Sequence, residues 1–137
     1  MSAQYLRVAK TFAKAVDDLG LGITVIQEND DFSPPASGQW AEMTMLSHDT
    51  DSLGKSGAGD ENLGALQISL FDADTGTLQG VLLGLADQLS AEFVHGKEYT
   101  LFTDTVYINR STRNAGRING GFYQIDLSIE WTCYTDR

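Results

Sequence analysis

A chain of 137 residues with 42% hydrophobic and 20% charged residues has the size and composition of one globular domain, which excludes wholesale disorder, collagen-like repeats and a coiled coil. Nineteen Asp and Glu against nine Lys and Arg give a formal charge of −10, which argues against a general nucleic-acid or membrane-surface binder, since both partners are themselves anionic. The single cysteine, Cys133, has no partner in the chain, and the opening residues lack the apolar run of a signal peptide, so folding in a reducing cytoplasm is expected.

In chain order, Tyr5, Ala9, Phe12, Val16 and Leu19 recur every three or four residues opposite Arg7, Lys10, Lys14, Asp17 and Asp18, which predicts an amphipathic helix. Gly20 and Leu21 read as its stop, and the β-branched run Ile23–Ile26 as a strand joined tightly to it. Two consecutive prolines, Pro34 and Pro35, break the following segment into a stiff loop. Trp40 to Ser47 alternates as a second strand, with Ala41, Met43 and Met45 on one face. His48 to Asn62 combines glycines with charges and has no hydrophobic periodicity, so a long flexible loop is expected there.

Leu66, Ile68 and Leu70 mark a third strand, ending at Asp72-Ala73-Asp74. Asp74 or Thr75 then caps a second helix through Leu78, Leu82, Leu85, Leu89 and Phe93, with Gly96 as its exit. Three β segments follow: Tyr99 to Phe102, Val106 to Asn109, and Gly121 to Cys133, the last with the period-two stripe Tyr123, Ile125, Leu127, Ile129, Trp131. The expected fold is one α+β domain over 1–137: a mostly antiparallel sheet with two helices on one side, in the order αβββαβββ. No apolar stretch is long enough to span a bilayer.

No motif nominates chemistry. Gly54-Lys55-Ser56 resembles the end of a phosphate loop, but Asp49 stands where its first glycine belongs, and no helix pattern follows. Asp49, Asp51, Gly54 and Asp60 match positions one, three, six and twelve of a calcium loop, yet Leu53 occupies an oxygen-ligand position and the flanks are not helical. His48 and His95 lack zinc spacing, Cys133 has no local base, and no serine sits in a nucleophile elbow. Asn109-Arg110-Ser111 is a formal glycosylation sequon with no secretory context to use it. No catalytic, cofactor or metal residues are therefore assigned.

Charge placement carries more. Between Leu21 and Val106 the only Lys or Arg residues are Lys55 and Lys97, whereas Arg110, Arg113 and Arg117 crowd into the Gly- and Asn-rich segment 109–120. This reads either as a solvated turn or as a basic hairpin arm that complements acids on a neighbouring copy of an acidic protein. The interface candidates are Arg110, Arg113 and Arg117 on the arm, and Asp49, Asp51, Lys55, Asp60 and Glu61 in the acidic loop. On this reading the arginines act between subunits and not within the fold. A cytoplasmic ligand-binding or hydrolytic α+β domain is the reading from a different class.

The layout resembles a known family. The first helix and short strand, the loop Glu28-Asn29-Asp30-Asp31-Phe32-Ser33-Pro34-Pro35, and the strand Trp40-Ala41-Glu42-Met43 are similar to the small tail-terminator proteins of long-tailed (siphovirus, lambda-like) phages. So are Gly64-Ala65-Leu66-Gln67-Ile68-Ser69-Leu70-Phe71, then Thr75-Gly76 with the helix Leu78 to Phe93, and the closing Gly120-Gly121-Phe122-Tyr123-Gln124-Ile125-Asp126-Leu127-Ser128-Ile129-Glu130-Trp131. The resemblance covers nearly the whole chain and departs from the pattern at Asp126 and Glu130, where the family has apolar residues or proline. It implies a homohexameric ring that caps the tail tube and offers a surface to head-completion (stopper) proteins. DNA would pass through the lumen without specific binding, there being no membrane and no cofactor. Another neck or tail-tube component of the same particle is the nearest alternative.

Overall fold

A computed structural model of the chain describes residues 3–27, 33, 38–52, 60–73, 80–100, 105–114, 116–119 and 121–135. Its elements run α1 (Ala3–Leu19), β1 (Thr24–Gln27), β2 (Gln39–Ser52), β3 (Asp60–Asp72), α2 (Gly80–Glu92), β4 (Glu98–Thr100), β5 (Thr105–Arg113), β6 (Arg117–Asn119) and β7 (Phe122–Thr135). All seven strands join one sheet in the order β1-β2-β3-β7-β5-β4, with β6 also paired to β7.

The α+β class and the mostly antiparallel sheet are as the sequence predicts, with two corrections. The sheet is mixed, because β1 runs parallel to β2, Thr24 opposite Trp40 and Gln27 opposite Met43. A parallel neighbour requires the chain to return to its starting end. Residues 28–38 are long enough for this, since about ten extended residues reach roughly 33 Å and a four-residue strand needs only about 13 Å. The second correction is to the order: four strands follow α2, not three, since β6 forms inside the segment expected to be a hairpin arm.

The expected loop from His48 to Asn62 is also revised. His48 to Ser52 continue β2, and Asp60 to Asn62 begin β3. Their polar sequence has no strand period, but a template does. β7 extends to Thr135 and pairs with β3 as far as Asp60, and β3 in turn pairs with β2 out to Ser52. Ladder hydrogen bonds, indifferent to side-chain polarity, extend the ribbon. Gly54, Lys55 and the Pro-Pro elbow lie outside the described residues, as does the proposed cap at Asp74 or Thr75.

One face of the sheet supplies the core. Ala41, Met43 and Met45 of β2, Leu66, Ile68 and Leu70 of β3, and Ile125, Leu127, Ile129, Trp131 and Cys133 of β7 pack with Val8, Phe12 and Val16 of α1 and with Leu82, Leu85, Ala86 and Leu89 of α2. Phe12 is the hub: its ring centroid lies 5.9 Å from Phe93, 6.4 Å from Tyr99 and 6.2 Å from Trp131, in the tilted geometries that aromatic quadrupoles favour. α1 ends at Gly20, whose φ of 63° is open to glycine at no steric cost and whose N–H donates to the Asp17 carbonyl at 3.1 Å.

Two bulges reset the alternation. In β2 the register slips between Met45 and Ser47, leaving Leu46 exposed. In β5 it slips between Ile108 and Arg110, so Ile108 faces Trp131 across the ladder while Arg110 faces Glu130.

Candidate functional site

The three arginines singled out by the sequence are all held by carboxylates of the same chain. Arg110 pairs with Glu130, its neighbour across the β5–β7 ladder. Arg113 Nη1 donates to Asp87 Oδ1 of α2 at 2.8 Å, and Arg117 Nη2 lies 2.9 Å from Asp126 Oδ2. Each arginine thus has a carboxylate partner within its own chain, while the Arg110 side chain stays 68% exposed. The described parts of the segment are strands, and the fold brings each cation to an acid 9 to 26 residues away in sequence. Asp126 and Glu130, the two positions where β7 departs from the resembled pattern, are the partners of Arg117 and Arg110. Two acids on a strand otherwise expected to be apolar, beside an arginine-rich neighbour, are the signal that could have revealed the pairing.

The face of the sheet that carries Asp126 is polar, and around Asp126 it is largely removed from water. Ser69, Gln124, Asp126 and Thr132 are buried. Ser69 and Asp126 are register partners on β3 and β7. Gln124 Nε2 donates to Asp126 Oδ1 at 2.8 Å, and Gln67 Nε2 donates to Ser69 Oγ at 2.9 Å. Burial by itself would push the Asp126 carboxyl up. Hydrogen bonds from Gln124, Ser69 and Arg117, with the guanidinium charge, outweigh it and hold the group below the ordinary carboxylate value. One end of this face is closed by aromatics: Trp40 stacks on Phe71 at 4.9 Å and meets the Phe122 ring edge-on at 4.9 Å.

The reversal between β5 and β6 is pinned from both sides. The Asn114 N–H donates to the Asp126 carbonyl at 3.0 Å. Gly116 lies so close under the Tyr123 ring that a Cβ there would overlap it. β6 then runs antiparallel to the start of β7, Arg117 opposite Gln124 and Ile118 opposite Tyr123. Ile118 is 69% exposed, the most exposed of the large hydrophobic residues among those described.

Of the acidic candidates, Asp49 is opposite Leu63, Asp51 opposite Glu61 and Ser52 opposite Asp60 in the β2–β3 ribbon. The structure thus gathers Asp51, Asp60 and Glu61 at one end of the sheet, away from β6, and does not bring them to the arginines. Lys55 lies outside the described residues.

Two recesses are present among the described residues. One, of about 210 Å³, is lined by Thr11, Lys14, Asp18, Glu92 and Tyr99. In it the Tyr99 hydroxyl donates to Glu92 Oε2 at 2.5 Å; burial, then that hydrogen bond and the adjacent carboxylate charge, push its pKa well above the usual range. Lys14 holds Asp18 at 2.7 Å. The other, of about 250 Å³, lies between α1 and β1 and is lined by Ala13, Val16, Asp17, Ile23, Val25 and Gln27. Neither lining contains a histidine or a cysteine. No cluster of His, Cys, Asp and Glu among the described residues has metal-binding geometry, and no helix there is long and apolar enough to cross a membrane.

The profile of a protein family described as phage tail terminator protein matches residues 5–131. The chain belongs to the phage tail terminator family. Its fold recurs in solved structures. One whose title is only a sequence identifier superposes with a TM-score of 0.70 at 17% identity, covering 97% of this chain and 96% of that one. A chain in a structure titled as the virion of a native gene transfer agent particle superposes with a TM-score of 0.51 at 17% identity, covering 93% and 97%. At such identities the likeness is one of fold. No curated protein sequence matches the chain. For this terminator-family protein, a catalytic centre is neither nominated by the sequence nor assembled by the described residues, and the features that stand out are edges, ion pairs and an exposed apolar side chain.

Proposed function

We propose that the protein is a structural component of the virion that forms a ring, six copies by resemblance, on the end of the tail tube. There it ends tube polymerisation and presents the surface to which head-completion proteins attach. The family match across residues 5–131 carries this reading, and the shared fold with a chain of a gene transfer agent virion supports a place in a particle. The excess of acids fits a ring through which DNA passes without sticking, because carboxylates repel phosphate. The exposed Arg110–Glu130 pair and the acidic positions Asp49, Asp51, Asp60 and Glu61 are candidate contacts to neighbours, where partly desolvated charges would set orientation.

Electron microscopy of particles assembled without this chain tests the role. Overlong tails are expected; headless tails of normal length would instead identify a neck protein.

A further inference from the structure

The outermost strands of the sheet are β1 on one side and β4 and β6 on the other, and no described strand pairs with their outer sides. Such an edge shows a row of N–H and C=O groups that another extended backbone can match. What lies beside each edge differs. The recess near β4 is polar and its charges answer one another: Lys14 holds Asp18, and Glu92 accepts from Tyr99 and lies 3.5 Å from Lys97. On β6, Arg117 holds Asp126. Beside β1, the groove of about 250 Å³ under α1 is lined by Ala13, Val16, Ile23 and Val25, with Asp17 at its rim. Asp17 has no ion pair among the described residues. Val25 is aligned with Ala41 of the core, so the groove opens on the core-facing side of the sheet.

We propose that β1 and this groove form a strand-addition site for an extended segment of another protein, one that carries Lys or Arg two residues from an aliphatic side chain. Backbone pairing to β1 places every second side chain of the added strand over the groove. Those side chains are roughly 6.6 Å apart, and Ala13 and Asp17, one turn apart on α1, are separated by about 6 Å. One of them therefore reaches Asp17 while the next sits on Ala13. A basic side chain fits the first place, laying its methylenes on Val25 and its charge against Asp17; Val or Ile fits the second. The outer strands of this chain do not supply that pattern. β4 is Glu98-Tyr99-Thr100, without a cation, and in β6 the two residues that share a side are Arg117, already paired, and Asn119. The occupant is therefore a different protein and not a second copy.

The test titrates the full chain with an end-capped, fluorescently labelled peptide, Thr-Thr-Lys-Thr-Val-Thr-Thr. Saturable binding below about 1 mM is expected by anisotropy, together with slower amide exchange on β1. A peptide with Glu for Lys should bind about tenfold more weakly, and D17K should reverse that preference. A13W, which fills the groove, should abolish binding with the circular dichroism spectrum unchanged. N-methylation of alternate amides along one edge of the peptide should abolish binding, and along the other leave it nearly unchanged, because an added strand pairs on one side only. No binding to the folded chain, equal loss with both methylated peptides, or binding indifferent to D17K would overturn the proposal. If the peptide instead dissociates copies of the chain from one another, the groove belongs to a second copy, and its assignment to another protein fails.

Discussion

The two faces of β7 are built from alternate residues of one strand and hold together by different physics. Ile125, Leu127, Ile129, Trp131 and Cys133 lie on one, each 1% exposed or less; Gln124, Asp126 and Thr132 lie on the other, 6–8% exposed, with the half-exposed Glu130 between the last two. The first face is stabilised by area removed from water, a non-directional effect that tolerates repacking. The second depends on each donor meeting an acceptor, since a polar group left unmatched there costs about 1–3 kcal/mol. Alternating apolar and polar residues thus do not mean that one face is inside and the other out.

The sharpest way to break the comparison is to damage each face in turn. Trp131→Ala should cost about 3–5 kcal/mol in denaturant unfolding, because it removes the largest fully buried side chain and its contact with Phe12; a loss below about 1 kcal/mol would contradict that packing. Asp126→Ala should cost about 1–3 kcal/mol, through the stranded donors of Gln124, Ser69 and Arg117 and not through lost volume. The polar face should also respond to acid. Because the folded state holds the Asp126 carboxyl below its ordinary value of 3.8, its contribution is complete above that value and is lost as pH falls through and below it. Asp126→Asn should flatten that acid limb of the unfolding midpoint, whereas Trp131→Phe should lower the midpoint by the same amount at every pH. Arg110→Ala should have the smallest effect, under about 1 kcal/mol by thermal unfolding, because its pair with Glu130 is exposed.

These contrasts also explain what was legible in the sequence. α1 and the core stripe of β7 follow from residue periodicity, and the buried residues Phe12, Val16, Ile125 and Trp131 are those the spacing selected. The parallel β1–β2 pair, the strand character of His48 to Ser52, and β6 depend on which strand lies beside which, and no local pattern encodes that. The arginine cluster was visible, but its partners were not. Arg113 finds Asp87 and Arg117 finds Asp126 only once strand register and the placement of α2 are known.

The bulge in β5 shows how much can hang on one residue. The Asn109 carbonyl accepts from His95 Nδ1 at 2.8 Å, and its side-chain amide donates to Thr132 Oγ1 at 2.8 Å. Its larger effect is to shift the phase of everything after it. With Asn109 held out of the ladder as the bulge, Arg110 turns toward Glu130 and Arg113 toward the side of Asp87; were Asn109 instead paired in regular register with Glu130, Arg110 would point at the core beside Ile129, and Arg113 away from α2. Point substitution and insertion at this position are therefore different experiments. Replacing Asn109 trims only its side-chain bond to Thr132, and excising it would remove the bulge with Arg110 still opposite Glu130, whereas adding one more residue there would reverse the facing of every later residue in the strand, so this stretch of the chain is far less forgiving of an insertion than of changes in chemistry.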